Sequence, residues 1–218
     1  MQLGIISFMQ EEKNNSSGIG AISASLYVSF QVIANVVSTK IAVLPLFGWA
    51  VDGGTIIYPL TFTLRDFVHK SLGKRVSRQI VLLAGAVNAL MMLTIWLVGM
   101  LRPDPSWQFQ AAYEQVLMPV SRIVMASIIA QVVSELLDTE LFSFAYKRFS
   151  DTAAVLISNS ISLVVDSVVF MFIAFLGVVP LSVVLQMIAT NIAIKFVLSL
   201  ISTPTIRLIP RRVSENEI

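Results

Sequence analysis

This chain of 218 residues has no cysteine and a single histidine, His69. The first absence removes disulfides, thiolate chemistry and cysteine-bound metals. The second leaves a metal-dependent hydrolase short of ligands. No P-loop occurs, so the chain cannot hydrolyse ATP by that machinery. Charge is scarce as well: 13% of residues are Asp, Glu, Lys or Arg and 56% are hydrophobic, whereas a soluble domain carries about 25% and about 45–50%. So few charges could not cover a soluble surface, and the mean hydropathy is +0.82.

What is there is a set of apolar stretches near the roughly 20 residues needed to cross a hydrocarbon core. They lie at about 19–39, 53–70, 79–100, 121–146, 153–176 and 181–206. The expectation is an all-α polytopic membrane protein with six transmembrane helices. The second stretch is polar for a span and is interrupted by Pro59, so it is expected to be kinked or discontinuous. Residues 41–50 are apolar but hold Pro45 and Gly48, which suits a short re-entrant or interfacial segment. Residues 1–18 read as a flexible cytoplasmic N-terminus, 19–206 as the membrane domain, and 207–218 as a basic then polar cytoplasmic tail.

Orientation follows from Lys and Arg in short loops. One side receives Lys13, Lys70, Lys74, Arg75, Arg78, Lys147, Arg148, Arg207, Arg211 and Arg212. The other has Lys40, Arg102 and Arg122. The basic side is expected inside, with both termini cytoplasmic. This bias accounts for the net charge of +2 and a pI near 9.0. The clusters are short and separate, unlike the basic face that nucleic acid requires, so no nucleic-acid partner is expected. Residues 101–120, with Trp107, Phe109 and Tyr113, form the longest outer connection.

Against this background, polar residues at membrane depth need a reason. The fourth span carries Ser127, Gln131, Ser134, Glu135, Asp138 and Phe142, most on one helical face. The fifth echoes it with Ser158, Ser162, Asp166 and Phe170, spaced by four, and Asn159 beside the row. A carboxylate near the bilayer centre costs at least about 2.5–3.5 kcal/mol. It serves either as an interhelical clamp or as part of a polar cavity that meets a substrate or proton. The second span adds Thr55, Tyr58, Phe62, Arg65, Asp66 and His69. The first has Asn35 and Lys40, and the sixth has Asn191 and Lys195 at i,i+4. Lys195 falls midway along its span and must snorkel, pair or line water, with Asp138 and Asp166 as candidate partners. Arg122 reads equally as a topology anchor, a gate, or a partner for Asp52. Asn88, with Gly85 and neighbouring alanines, marks either a close helix contact or a lining donor.

Together these stretches resemble a known family. GGTIIYPLTFTLRDFVHKSLGKRVSRQ at 53–79, SRIVMASIIAQVVSELLDTELF at 121–142, SNSISLVVDSVVFMFIAF at 158–175 and ATNIAIKF at 189–196 are similar to the integral-membrane queuosine precursor transporters, formerly grouped as vitamin uptake proteins. The resemblance covers residues 20–210. It implies a six-helix inner-membrane importer of 7-deazaguanine bases, either the cyano or aminomethyl forms or queuine itself. It marks Asn35, Tyr58, Asp66, Arg122, Asp138, Asn159, Asp166 and Lys195 as functional. Glu135 departs from the family, where glutamine is usual. An acid there would favour a cationic aminomethyl base or neutralise Lys195 locally.

The chemistry of a guanine-like base fits these residues. One acceptor-only carboxylate accepts both N1–H and the exocyclic amine. The O6 acceptor then needs a donor such as Lys195, Asn159, Asn191 or Tyr58, and the flat ring needs an apolar face. The expected mechanism is alternating access, with Asp166 on the base and an Asp138–Lys195 pair that changes as the site opens. Proton coupling is compatible with buried carboxylates. No cofactor or metal is implied, and the partners expected are the deazapurine substrate and the lipid bilayer. Two other readings stand beside this one: the substrate-binding membrane subunit of an energy-coupling factor vitamin transporter, and a non-transporting membrane scaffold. An aspartyl protease lacks support, because neither aspartate has glycine-rich surroundings.

Overall fold

In lipid, backbone N–H and C=O groups find no water, so an apolar chain satisfies them within helices. The computed structural model describes residues 2–45, 48–146 and 151–205, and it is an all-α membrane protein with one short hairpin. Helices α1 (Gln2–Val37), α2 (Tyr58–Leu72), α3 (Lys74–Gly99), α4 (Gln110–Leu117), α5 (Val120–Tyr146), α6 (Asp151–Phe175) and α7 (Leu181–Thr205) make up nearly all of it. Four regions are long and apolar enough to cross a membrane: 18–37, 75–99, 110–134 and 181–198, and 160–175 is a shorter apolar helix. Helix α1 also runs through residues 2–18, which read as a lead-in from the sequence.

The region 41–50 doubles back as expected, but as a β-hairpin. Strands β1 (Ile41–Val43) and β2 (Ala50–Asp52) pair antiparallel, with Ile41 opposite Asp52 and Val43 opposite Ala50. Ala50, Val51 and Asp52 are all buried, and β2 packs on α7. Pairing lets this segment lie among the helices without leaving its backbone groups unsatisfied.

The second stretch is discontinuous. A 3-10 turn at Gly53–Ile56 precedes α2, and Pro59 falls in the first turn of α2. There the missing N–H costs no helical bond and the fixed φ suits the start of a helix, so Pro59 starts α2 and does not kink it. Asp52 caps the 3-10 turn by accepting from the Thr55 N–H at 3.2 Å. Gly53 and Gly54 lie against the end of α1. A Cβ on Gly53 would meet the Val37 carbonyl, and one on Gly54 would meet Ser38 Oγ and the Ala34 carbonyl. Gly73, with φ of 88°, turns the chain between α2 and α3, a conformation that L side chains avoid.

Two packed groups frame the middle of the molecule. Tyr27, Val68, Ile80 and Ala84 join α1, α2 and α3. Ile123, Ala126, Met171, Phe175, Val184 and Met187 join α5, α6 and α7, with Ala50 of β2. Helices α5 and α6 make the most extensive pairing. The outward faces are apolar, as at Leu82, Leu83, Leu90 and Leu97 of α3, where lipid takes the place of water. Between α3 and α5, α4 leans on α3, with the Tyr113 hydroxyl donating to the Ile95 carbonyl at 3.1 Å. Beside it, two hydrogen bonds from Ser106 hold the Asp104 carboxyl below its usual pKa.

Candidate functional site

Where the two groups meet, the buried side chains change from apolar to polar. A small recess, about 350 Å³ of empty space when its open mouth is counted, is lined by residues of several elements. Helix α1 supplies Ala34 and Asn35, with Ser38 just beyond it; the hairpin and 3-10 turn supply Asp52, Gly54 and Thr55; and α2 supplies Tyr58. Ser127 and Ala130 come from α5, Asp166 and Phe170 from α6, Asn191 and Lys195 from α7.

At its centre is an ion pair. Lys195 Nζ lies 2.7 Å from Asp166 Oδ2, and only 3% of the lysine is exposed. Burying either charge alone would be costly, and pairing offsets that cost only with good geometry and further hydrogen bonds. Both conditions hold for the lysine. Lys195 Nζ also donates to Ser167 Oγ at 3.1 Å, and it sits 5.4 Å from the centre of the Tyr58 ring, within cation–π range. Tyr58 is braced by Phe62, whose ring stands edge-on at 5.5 Å.

From Ser167 a chain of hydrogen bonds crosses the recess. Its hydroxyl, 2.9 Å from the Leu163 carbonyl, donates to Asn191 Oδ1 at 2.8 Å. Asn191 Nδ2 donates to Thr55 Oγ1 at 2.8 Å, and that hydroxyl donates to Asp52 Oδ1. Ser38 Oγ donates to Asp52 Oδ2 at 2.8 Å. Each link passes its hydrogen in one sense, from the Lys195 ammonium toward the Asp52 carboxylate. Four segments that are far apart in sequence are thereby tied together.

Five residues singled out from the sequence therefore converge: Asn35, Tyr58, Asp166, Asn191 and Lys195. Asn35 is also anchored, donating to Asn88 Oδ1 at 2.7 Å, while Asn88 donates to the Ala84 carbonyl at 2.9 Å. Asn88 is thus a helix contact and does not line the recess. Of the two candidate partners for Lys195, Asp166 is the one paired with it here. The side chains of Glu135, Asp138 and Asn159 lie outside the described residues, although their backbones belong to α5 and α6.

Two candidates do not line the recess. Asp66 lies two turns beyond Tyr58 on α2, half-buried and near Arg65 and His69. Arg122 is exposed at the start of α5 and donates to the Ile173 carbonyl from Nε and the Leu176 carbonyl from Nη2, both at 2.6 Å. It closes the carbonyl end of α6, where a cation is favoured. No Arg122–Asp52 pair is present among the described residues. The sequence reading gave Ser38 no role and weighed Asp52 only as a partner for Arg122. The signal for Asp52 was local: an acid three residues before Thr55 is the pattern of an N-cap.

Among the described residues no group of three or more His, Cys, Asp or Glu is placed to hold a metal ion. The donors and acceptors instead suit a small organic molecule with hydrogen-bonding edges.

The family model described as "Putative vitamin uptake transporter" matches residues 52–209, which takes in the hairpin end, the 3-10 turn and α2 to α7. The chain belongs to this family. It is a multi-pass membrane protein of a transporter family. The similarity drawn from the sequence is thus supported independently. A protein of Bacillus subtilis (strain 168) named "Probable queuosine precursor transporter" is 27% identical over 194 residues, covering 86% of this chain and 83% of that protein. No solved structure matches.

Proposed function

We infer that this chain imports a queuosine precursor, a 7-deazaguanine base, across the bacterial inner membrane. The observation that carries this reading is the buried Asp166–Lys195 pair in a recess that also presents Phe170, Tyr58 and Asn191. The relative's name agrees with it.

The physical logic is exchange of partners. Without substrate the two charges satisfy one another. A guanine-like base offers N1–H and an exocyclic amine to the Asp166 carboxylate, and its O6 to Lys195 or Asn191. Charge-assisted hydrogen bonds of this kind are about twice as strong as neutral ones, so the base can replace the internal pair. The Phe170 ring provides an apolar face for the heterocycle. An adenine-like ring presents the wrong edge and leaves a buried group unpaired, at about 1–3 kcal/mol.

Alternating access follows if the α1–α3 and α5–α7 groups move about this recess, opening it to one side at a time. Six spans and cytoplasmic termini complete the reading. The direct test is uptake of labelled deazaguanine by cells lacking their own importer. Expression of this chain restores uptake, and Asp166→Asn abolishes it at equal expression. Retention of full uptake and affinity by Asp166→Asn would remove that residue from the site. Purified protein in liposomes separates autonomous transport from the energy-coupling-factor reading, because the latter requires an ATPase partner. Collapsing the pH gradient in those liposomes tests proton coupling.

A further inference from the structure

Asp52 is 1% exposed and lies in the wall of the recess. Its two oxygens accept from Ser38 Oγ, the Thr55 N–H and Thr55 Oγ1. A carboxylate, which is acceptor-only, accepts all three of these contacts. All three donors are neutral. Asp166 already holds the one ammonium in the lining, that of Lys195. The described lining residues thus carry two carboxylates against one cation.

Nearby cations do not close this balance. Lys40 adjoins Asp52 across the hairpin, where its carbonyl accepts from the Gly53 N–H at 2.8 Å, but the lysine is exposed and makes no ion pair with Asp52. Arg65 lies over the Phe62 ring at 5.8 Å, beside the acid of Asp66. Arg122 is occupied with the end of α6. The hydrogen-bond chain through Thr55, Asn191 and Ser167 orients dipoles toward Asp52 but adds no charge.

We propose that Asp52 is a specificity residue which selects a positively charged substrate, so that the bound base carries a protonated amine on its side arm. This rests on the functional reading above and narrows it. An entering cation supplies the charge that the recess lacks and meets a carboxylate whose three contacts are all to neutral donors. A neutral side arm of the same size leaves the imbalance in place. Coulomb attraction is strong in so sheltered a site, so discrimination does not require direct contact.

The experiment is equilibrium binding to the purified full chain in detergent, using three guanine-like 7-deaza bases that differ only in the side arm. One carries aminomethyl, one hydroxymethyl of matching size without charge, and one nitrile. The expected result is that the wild-type protein binds the aminomethyl base at least about tenfold more tightly than either neutral base. Asp52→Asn should then cut the affinity for the amine about tenfold more than that for the neutral bases. Equal wild-type affinity for amine and hydroxymethyl, or a preference for the nitrile, overturns the proposal without any variant. A uniform loss across all three bases in Asp52→Asn also overturns it, since Asp52 would then only position Thr55 and Asn191. If no base binds the wild-type protein, the deazaguanine reading itself falls.

Discussion

Lys195 and Asp166 are worth more to each other than either is alone. Removing one partner of a buried pair leaves an uncompensated charge, at about 3–5 kcal/mol. Lys195→Met and Asp166→Asn should each lower the unfolding midpoint in detergent, because each leaves the other member of the pair without its partner. The double variant is expected to be more stable than Lys195→Met while failing to bind substrate. A double variant no better than the lysine variant would mean that the pair contributes little to folding. Arg122 acts differently. Its two bonds to the end of α6 hold an exposed junction, and Arg122→Ala should cost about 1–3 kcal/mol of stability. Lysine cannot supply the same planar fork, so Arg122→Lys should recover less than half of that loss in thermal unfolding.

At the scale of elements, the 3-10 turn depends on two residues without side chains. It approaches α1 closely enough that a Cβ on Gly54 meets Ser38 Oγ and the Ala34 carbonyl. Gly54→Ala should therefore destabilise the protein by about 1–3 kcal/mol, as overpacking does. It should also weaken substrate binding, because Ser38 is one of the three donors to Asp52. Gly85 has open space around its Cβ position, so Gly85→Ala is the control and should be tolerated or slightly stabilising within α3. If both glycine variants behave alike in thermal unfolding and binding, close packing of the turn is not what matters.

The whole molecule brings two groups of helices together around a polar recess, and its orientation can be tested without mutating away any native thiol. Because the chain has no cysteine, single cysteines report cleanly. Arg102→Cys, between α3 and α4, should react with a membrane-impermeant maleimide in intact spheroplasts. Arg75→Cys, at the start of α3, should react only after permeabilisation. Both positions are exposed. The reverse labelling pattern would invert the topology and with it the direction assigned to transport.

Membrane class and the long helices were legible in the sequence, because each depends on local composition against a fixed bilayer thickness. The family was legible too, since Pro59, Asp66, Arg122, Asp138, Asp166 and Lys195 occur in order along one chain. Tertiary structure decided what meets what. Asp66 and Arg122 carry as much sequence signal as Asp166, yet they do not line the recess, because helix rotation and crossing settle which face of a span looks inward. The β-hairpin escaped the sequence reading since six short strand residues leave little periodicity. Asp52 looked like a loop acid beside two glycines. Only the folding of that loop back among α1, α2 and α7 buries it opposite Lys195, where its charge can bear on what enters.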